Sequence, residues 1–371
     1  MSDTKYWVGF TLIPGMGRVR LGLLERHFGD MERAWRAGAA DLEAAGLDRR
    51  SISSVVAGRA RISPDDEMER LERYRVRALT LKDEEYPARL KEIYDPPPVL
   101  FVKGALAPDD EWSVAVVGTR RPTYYGREVA GQLAADLARN AITIVSGLAR
   151  GIDAIAHRAA IDAGGRTIAV FGCGLDMVYP SEHANLAREV MEHGALVSEQ
   201  PLGTQPRAAN FPRRNRIMSG MSLGVLVVEA GIKSGALITA RLALEQDREV
   251  FAVPGSVLSE VSRGANRLIQ EGAKLVQEAR DVLEELNLTM AVQHREVKEA
   301  IGASAEEALL LKHISAEPTH IDEVGRRAGL PISAVSSTLA QMELKGMVRQ
   351  VGGMNYIVAR EAREEYRVTV E

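Results

Sequence analysis

Short, uninterrupted apolar segments rich in β-branched residues alternate with helical segments through the middle of the chain. Strands that lack a polar face are typical of a parallel sheet covered by helices on both sides. The pattern therefore predicts an α/β domain with a Rossmann-like, doubly wound and mostly parallel sheet. Its predicted strands are Val114 to Val117, Ile142 to Val145, Thr167 to Phe171, Leu196 to Val197, Leu223 to Val228 and Val250 to Val253.

The segments on either side have different patterns. Before about Thr80, short helical stretches are separated by turns, and the turn Ile13 to Gly17 is typical of SAM-like or helix-hairpin-helix domains. Phosphate binding and plain helix packing both remain open for that turn. After Ala303, three helical stretches and two strands around Gly352-Gly353 indicate a winged helix. We predict a SAM-like helical domain over 1–79, the Rossmann-like domain over 80–286, a linker over 287–303 and the winged helix over 304–371.

Composition adds two constraints. The 371 residues carry a formal net charge of −4, so any nucleic-acid surface must be a local patch. The single cysteine, Cys173, excludes an internal disulfide and fits a reducing compartment. The first residues lack the pattern of a signal peptide, and no apolar run reaches membrane-spanning length. We therefore expect a cytoplasmic protein that does not associate with membranes.

Three turns that combine glycine with basic residues follow predicted strands. In a parallel sheet the strand ends share one edge, where ligands bind. Each turn also leads into a helix, whose first N–H groups attract anions. The turns are Gly118 to Pro122, Ser146 to Asp153 and Glu229 to Gly235. Together they favour a polyanion or a nucleotide as the ligand.

A basic segment lies between the last two of these turns. No acidic residue occurs from Gln200 to Val228, and a short helix is predicted to begin near Arg213. Arginines in the first turn of a helix oppose its positive end, and a bound anion relieves that cost. The arginines of the segment are Arg207, Arg213, Arg214 and Arg216. This segment is predicted to form one wall of a nucleic-acid groove.

The patterns of cofactor sites and catalytic centres are missing from the sequence. The first strand is not followed by G-x-G-x-x-G, and no G-x-x-x-x-G-K-[ST] loop occurs, so we predict no cofactor. We also expect no metal site. Cys173 and His157 are expected to be packed in the interior, and Asp153 to cap a helix or hold its loop. A binding protein is favoured over an enzyme.

Seven motifs of the central domain occur in an order that resembles the DNA-processing protein A (DprA/Smf) family. They are Gly118 to Arg120, Ser146 to Asp153, Tyr179-Pro180, Ser198 to Gly203, Phe211 to Arg216, Ser234 to Ala240 and Val253 to Gly255. The resemblance implies a single-stranded DNA-binding recombination mediator that protects incoming DNA in natural transformation. It also implies loading of the RecA recombinase and a homodimer formed through the Rossmann-like domain.

The resemblance and the pattern together indicate a set of DNA-binding residues. Arg150 and Lys233 are expected at adjacent strand ends, where they neutralise phosphates. Phe211 is expected either to stack on a base or to belong to the local core. Arg207 is the candidate nearest to a basic position that the family has upstream of Phe211. The complete set is Gly118, Arg120, Gly126, Ser146, Gly147, Arg150, Gly151, Arg207, Phe211, Arg213, Arg214, Asn215, Arg216, Lys233, Ser234 and Gly235.

Two other functions compete with this one. A nucleotide-hydrolysing enzyme of the lysine-decarboxylase-like Rossmann type needs a P-G-G-x-G-T loop, where this chain has Glu229 to Ser234. A winged-helix transcription regulator needs basic or amide side chains on its recognition helix. The predicted helix Ser333 to Leu344 contains no lysine or arginine. Both alternatives are therefore disfavoured, and the winged helix is expected to contact protein or to act as an auxiliary module.

Overall fold

The computed structural model describes residues 3–288, 305–314, 318–344 and 348–358. They form two compact units, Met1–Asn287 and Leu288–Glu371. Most of the predicted linker, 287–303, and the end of the chain after 358 lie outside the described residues. Within the described ranges no helix is long and apolar enough to cross a membrane.

The first unit begins with helices, as its sequence predicts. Several start at a side chain that accepts a hydrogen bond from a backbone N–H in the first turn. The carboxylate of Asp48 accepts from the N–H of Ser51, and the hydroxyl of Ser63 accepts from the N–H of Asp66. The helices are α1 (Thr4–Thr11), α2 (Arg18–Phe28), α3 (Met31–Arg36), α4 (Ala39–Ala44), α5 (Arg49–Arg59) and α6 (Pro64–Arg73).

In the described residues a nine-stranded sheet follows, with the order β1-β2-β6-β5-β4-β3-β7-β8-β9. Strand β2 is antiparallel to both of its neighbours, β1 and β6, and all other neighbouring strands are parallel. The strands are β1 (Arg77–Thr80), β2 (Val99–Gly104), β3 (Ser113–Val117), β4 (Thr143–Ser146), β5 (Thr167–Phe171), β6 (Gly194–Ser198), β7 (Gly224–Val227), β8 (Glu249–Ala252) and β9 (Lys274–Leu275). The doubly wound, mostly parallel sheet is thus confirmed with its six predicted strands. Strands β1, β2 and β9 were not predicted, and β1 begins before the predicted start of the domain.

Helices cover both faces of the sheet. On one face, Phe101 and Phe171 of the strands share a core with Tyr6, Trp7 and Phe10 of α1. The N-terminal helices therefore pack directly on the sheet and belong to the same unit. The helices of the α/β part are α7 (Ala88–Glu92), α8 (Tyr124–Arg139), α9 (Ile152–Asp162), α10 (Ala184–Glu192), α11 (Asn210–Met221), α12 (Ala236–Glu245), α13 (Arg263–Gln270) and α14 (Ala279–Glu285).

The described part of the second unit is a winged helix, as predicted. Its small core includes Leu310, Val324, Leu339 and Tyr356. The second of its helices ends at Gly329, whose φ of +69° places it in the left-handed conformation that glycine tolerates. The unit contains α15 (Ala305–Leu311), β10 (Thr319–His320), α16 (Ile321–Ala328), α17 (Ile332–Leu344), β11 (Val348–Gln350) and β12 (Asn355–Val358). The strand order is β10-β12-β11, and both pairs are antiparallel.

Candidate nucleic-acid interface

A groove of about 710 Å³ opens at the carboxyl edge of the sheet, where β3 and β7 lie side by side. From β3 the chain crosses to β4 on one side, while β7 lies on the other, so this is the switch point of the sheet. The lining comes mainly from the turns after β3, β4 and β7, from the first turns of α11 and α12, and from Tyr179 between β5 and α10. Eight of the sixteen predicted residues line it: Gly118, Arg120, Phe211, Arg214, Asn215, Lys233, Ser234 and Gly235.

The expectation that Arg150 and Lys233 stand at adjacent strand ends is wrong. They follow β4 and β7, and β3 lies between these strands. Lys233 is exposed and lines the groove. Arg150 is also exposed, but its Nε and Nη2 donate to the two carboxylate oxygens of Glu182 at 2.5 and 3.0 Å. These hydrogen bonds raise the pKa of Arg150, and a phosphate at this position must displace Glu182.

One wall of the groove combines aromatic rings with a cation. The ring of Phe211 lies 5.5 Å from that of Tyr179, and the Arg120 guanidinium lies 6.0 Å from the Phe211 ring. Phe211 is thus part of the groove wall and packs against Tyr179, a residue missing from the predicted set. A guanidinium over a ring offers both positive charge and a flat surface. Such a wall suits a ligand with phosphates and unpaired bases.

The segment from Phe211 to Arg216 does not face the groove as a whole. Helix α11 begins at Asn210, earlier than predicted, so the helical repeat directs these side chains to different sides. Arg213 is exposed. Arg216 is bound to Glu199 and lies 3.4 Å from Asp95. The sequence between Gln200 and Val228 lacks acids, but these two carboxylates reach Arg216 from outside it.

Arg214 forms the buried floor of the groove, with only 5% of its surface exposed. Its Nη1 donates to the carbonyl oxygen of Val170 at 2.9 Å. The buried side chain of Asp153 interacts electrostatically with this guanidinium and accepts from the N–H groups of Gly147 and Ala149 at 3.2 and 3.3 Å. Burial raises the pKa of Asp153 and lowers that of Arg214, and each charge opposes the shift of the other. Asp153 holds its loop, as predicted.

Two predicted glycines provide space for these buried side chains. A Cβ at Gly147 would lie 1.5 Å from Nη1 of Arg214. A Cβ at Gly126 would lie 2.2 Å from the carboxylate of Glu229. That carboxylate accepts from the N–H and the hydroxyl of Thr123 at 2.9 and 2.6 Å. The absence of a side chain at Gly147 and Gly126 therefore serves internal packing.

The other small residues of the predicted set fall into two groups, those packed against the interior and those open to the surface. A Cβ at Gly118 would meet Ile152, and Gly151 has a φ of +79° against the carbonyl of Thr119. Ser146 is buried, and its hydroxyl donates to the carbonyl of Val116 at 2.7 Å. By contrast, a Cβ at Gly235 would meet no described atom within 4 Å. The turn after β7, with Ser234 and Gly235 beside Lys233, is thus the most open to a ligand. Arg207 is exposed and does not line the groove itself, although its neighbours Pro206 and Ala208 do.

The ionisable side chains of His157 and Cys173 have the surroundings of core residues. His157 is buried with Nδ1 2.7 Å from the hydroxyl of Thr167, and burial lowers its pKa to about 3. Burial also raises the pKa of Cys173 to about 11. Both are packed in the interior, as expected. In the described part of the chain, no group of three or more His, Cys, Asp or Glu side chains could hold a metal ion.

Three features together define a class of multidomain Rossmann-like proteins. They are a doubly wound sheet with a groove at its switch point, N-terminal helices and a winged-helix unit. Residues 77–287 match the family model described as DNA recombination-mediator protein A. Residues 295–354 match the model of the DprA winged helix domain. The chain belongs to this DprA/Smf family, which confirms the resemblance found in its motifs.

Individual relatives agree with this assignment. The chain is 38% identical to protein Smf of Escherichia coli over 384 aligned residues that cover both chains completely. It is 48% identical to the DNA processing protein DprA of Bacillus subtilis over 57% of this chain and 71% of that protein. The solved structure of DprA from Streptococcus pneumoniae matches with a TM-score of 0.67 and 37% identity over 76% and 98% of the two chains. DNA processing protein A from Helicobacter pylori, described for its single-stranded DNA binding mode, matches with a TM-score of 0.51 and 32% identity over 57% and 95%.

Proposed function

We propose that this protein binds single-stranded DNA in the groove at the β3–β7 edge. The observation that carries the proposal is the combination of the exposed cations Arg120 and Lys233 with the rings of Phe211 and Tyr179 around one groove. Cations neutralise phosphates, and aromatic faces stack on bases irrespective of sequence. The buried Arg214 is not counted among these cations, because the nearby Asp153 acts against its charge.

A single strand fits this groove better than a duplex. A volume of about 710 Å³ is on the scale of a pocket for a small ligand, so it accommodates a short stretch of nucleotides. Ring faces are useful only for bases that are not already stacked in a duplex. The Helicobacter pylori relative, described for its single-stranded DNA binding mode, supports the same choice.

Within the proposed site the predicted residues take different roles. Arg120 and Lys233 contact phosphates, Phe211 stacks, and Ser234 and Gly235 offer an open turn. Arg207 and Arg213 add exposed positive charge, and Arg150 joins them when a phosphate displaces Glu182. The remaining predicted residues are buried or packed and support the groove surface: Gly118, Gly126, Ser146, Gly147, Gly151, Arg214, Asn215 and Arg216.

Family membership supports a wider role as part of this proposal. The protein protects incoming DNA during natural transformation and loads the RecA recombinase onto it, acting as a homodimer formed through the Rossmann-like part. It needs neither a cofactor nor catalysis, and it works in the cytoplasm. Glu229 supports the non-enzymatic role, because its buried carboxylate is occupied by Thr123. Calorimetric binding of AMP would instead favour the hydrolase alternative.

The salt dependence of binding tests the proposed site. Fluorescence anisotropy of a labelled oligonucleotide is measured with the full-length protein and with Arg120→Ala and Lys233→Ala. Each variant is expected to lose affinity and to flatten the slope of log K against log salt by about 0.7, the value for one phosphate of a single strand. Arg139→Ala serves as the control, because Arg139 is exposed at the opposite end of α8. Unchanged affinity of both groove variants at low and high salt contradicts the proposal.

A further inference from the structure

The turn after β3 continues beyond the groove as a strip of cations and aromatic rings. From Gly118 to Arg127 the sequence contains Arg120, Arg121, Tyr124, Tyr125 and Arg127 but no acid. Tyr124 is 79% exposed and Tyr125 45% exposed. A single exposed tyrosine needs no explanation. This one stands between arginines, four residues after an arginine of the groove wall, so its surroundings favour an anionic ligand with flat bases.

The backbone that carries Tyr124 is held rigidly on both sides. The preceding Thr123 donates to Glu229 through both its N–H and its hydroxyl. That hydroxyl also accepts from the N–H of Gly126 at 3.1 Å, which caps α8. The following Tyr125 donates its hydroxyl to the carbonyl of Pro254 at 2.8 Å. Because Glu229 is the first residue of the turn after β7 that lines the groove, these hydrogen bonds attach the strip to the groove wall.

We propose that Tyr124, flanked by Arg121 and Arg127, is a stacking shelf for a base of the strand as it leaves the groove. The shelf rests on the proposed function and extends its footprint beyond the cavity. Because its backbone is fixed before binding, only the side chain of Tyr124 has to be ordered when a base stacks on it. Glu128, the first acid after the strip, limits the shelf to the first turn of α8.

Oligonucleotides with and without bases separate stacking from charge. Full-length protein and Tyr124→Ala are titrated against a labelled single strand and an abasic strand of equal length and charge. Tyr124→Ala should bind the normal strand about five- to tenfold more weakly, as expected for one lost stacking contact. Its affinity for the abasic strand and its salt slope should match the wild type, since no charge is removed. Tyr124→Trp should keep or improve affinity, and Tyr94→Ala, at a tyrosine that is 94% exposed, should change nothing.

Several outcomes overturn the shelf. Wild-type affinity of Tyr124→Ala for the normal strand does so directly. An equal loss on both strands shows that the tyrosine acts without contacting bases, and a change in sedimentation coefficient assigns it to a contact between copies. If Arg120→Ala and Lys233→Ala weaken binding while Tyr124→Ala does not, only the shelf fails. If the wild-type protein binds no single strand, the proposed function fails and the shelf fails with it.

Discussion

Replacing Arg214 by leucine is expected to destabilise the first unit by about 3 kcal/mol at pH 7. The substitution leaves the buried carboxylate of Asp153 without its nearby opposite charge and the carbonyl of Val170 without its donor. Leaving a buried charge without a nearby opposite charge typically costs about 3–5 kcal/mol. The leucine side chain fills part of the space and adds apolar burial, so the lower end of that range applies.

Asp153→Asn in the Arg214→Leu background should recover about 1–2 kcal/mol, because it removes the uncompensated charge. The amide oxygen still accepts from the loop N–H groups.

The pH dependence of stability has a defined sign. Burial raises the folded-state pKa of Asp153 above its unfolded value of about 3.9, so the folded protein binds the proton more tightly. This contribution to stability is complete below the unfolded pKa and is lost as pH rises through the folded pKa. Removing Arg214 raises the folded pKa further, so the deficit of the variant should shrink as the pH approaches 4.

Urea unfolding followed by tryptophan fluorescence measures these differences, because Trp7, Trp35 and Trp112 all belong to the first unit. The control is Arg213→Leu, the exposed neighbour, which should change stability by no more than about 0.5 kcal/mol. The reasoning is refuted if Arg214→Leu is as stable as this control. It is also refuted if the deficit of Arg214→Leu grows as the pH is lowered.

Three further predictions concern single features of the site. Glu182→Gln should raise single-strand affinity about threefold, because it frees the guanidinium of Arg150 for phosphate; anisotropy measures this. Gly147→Ala should destabilise the first unit in urea far more than Gly235→Ala, because the added carbon meets a buried guanidinium at 1.5 Å in one case and no described atom within 4 Å in the other. Deletion of the residues after Ala303 should leave most single-strand affinity intact, because the proposed groove lies entirely in the first unit.

Each of these three predictions has a control variant or an outcome that would contradict it. Glu189→Gln removes a carboxylate bound to Arg158 and should not change affinity, so an equal gain there points to net charge alone. Equal stability of the two glycine variants contradicts the packing role of Gly147. A collapse of binding after the deletion shows that the winged-helix unit carries part of the site.

The central strands and the winged helix were predictable because the pattern of apolar and polar residues within each segment indicates which side chains are buried. Strands buried on both faces contain uninterrupted apolar runs, such as Ile168 to Phe171. Strand Arg77–Thr80 has a polar start, and Lys274–Leu275 has two exposed residues, so neither shows such a run. Strand Val99–Gly104 begins with four apolar residues, but its antiparallel pairing places it outside the alternation of strands and helices.

The candidate site was predictable in position but not in the orientation of its side chains. Counting acids along the segment with Arg216 could not reveal Glu199 and Asp95, which reach it through the fold. The same holds for Arg150 and Glu182, which are 32 residues apart in sequence. Ion pairs of this kind depend on tertiary packing, and no local composition encodes them.

The comparison of a single strand with its duplex tests the central claim most directly. Anisotropy is measured with one labelled oligonucleotide, alone and annealed to its complement, at low and physiological salt. The groove with Arg120, Phe211, Tyr179 and Lys233 predicts that the single strand binds at least about tenfold more tightly at both salt concentrations. Equal affinity for the two forms, or tighter binding of the duplex, would contradict a groove built for unpaired bases.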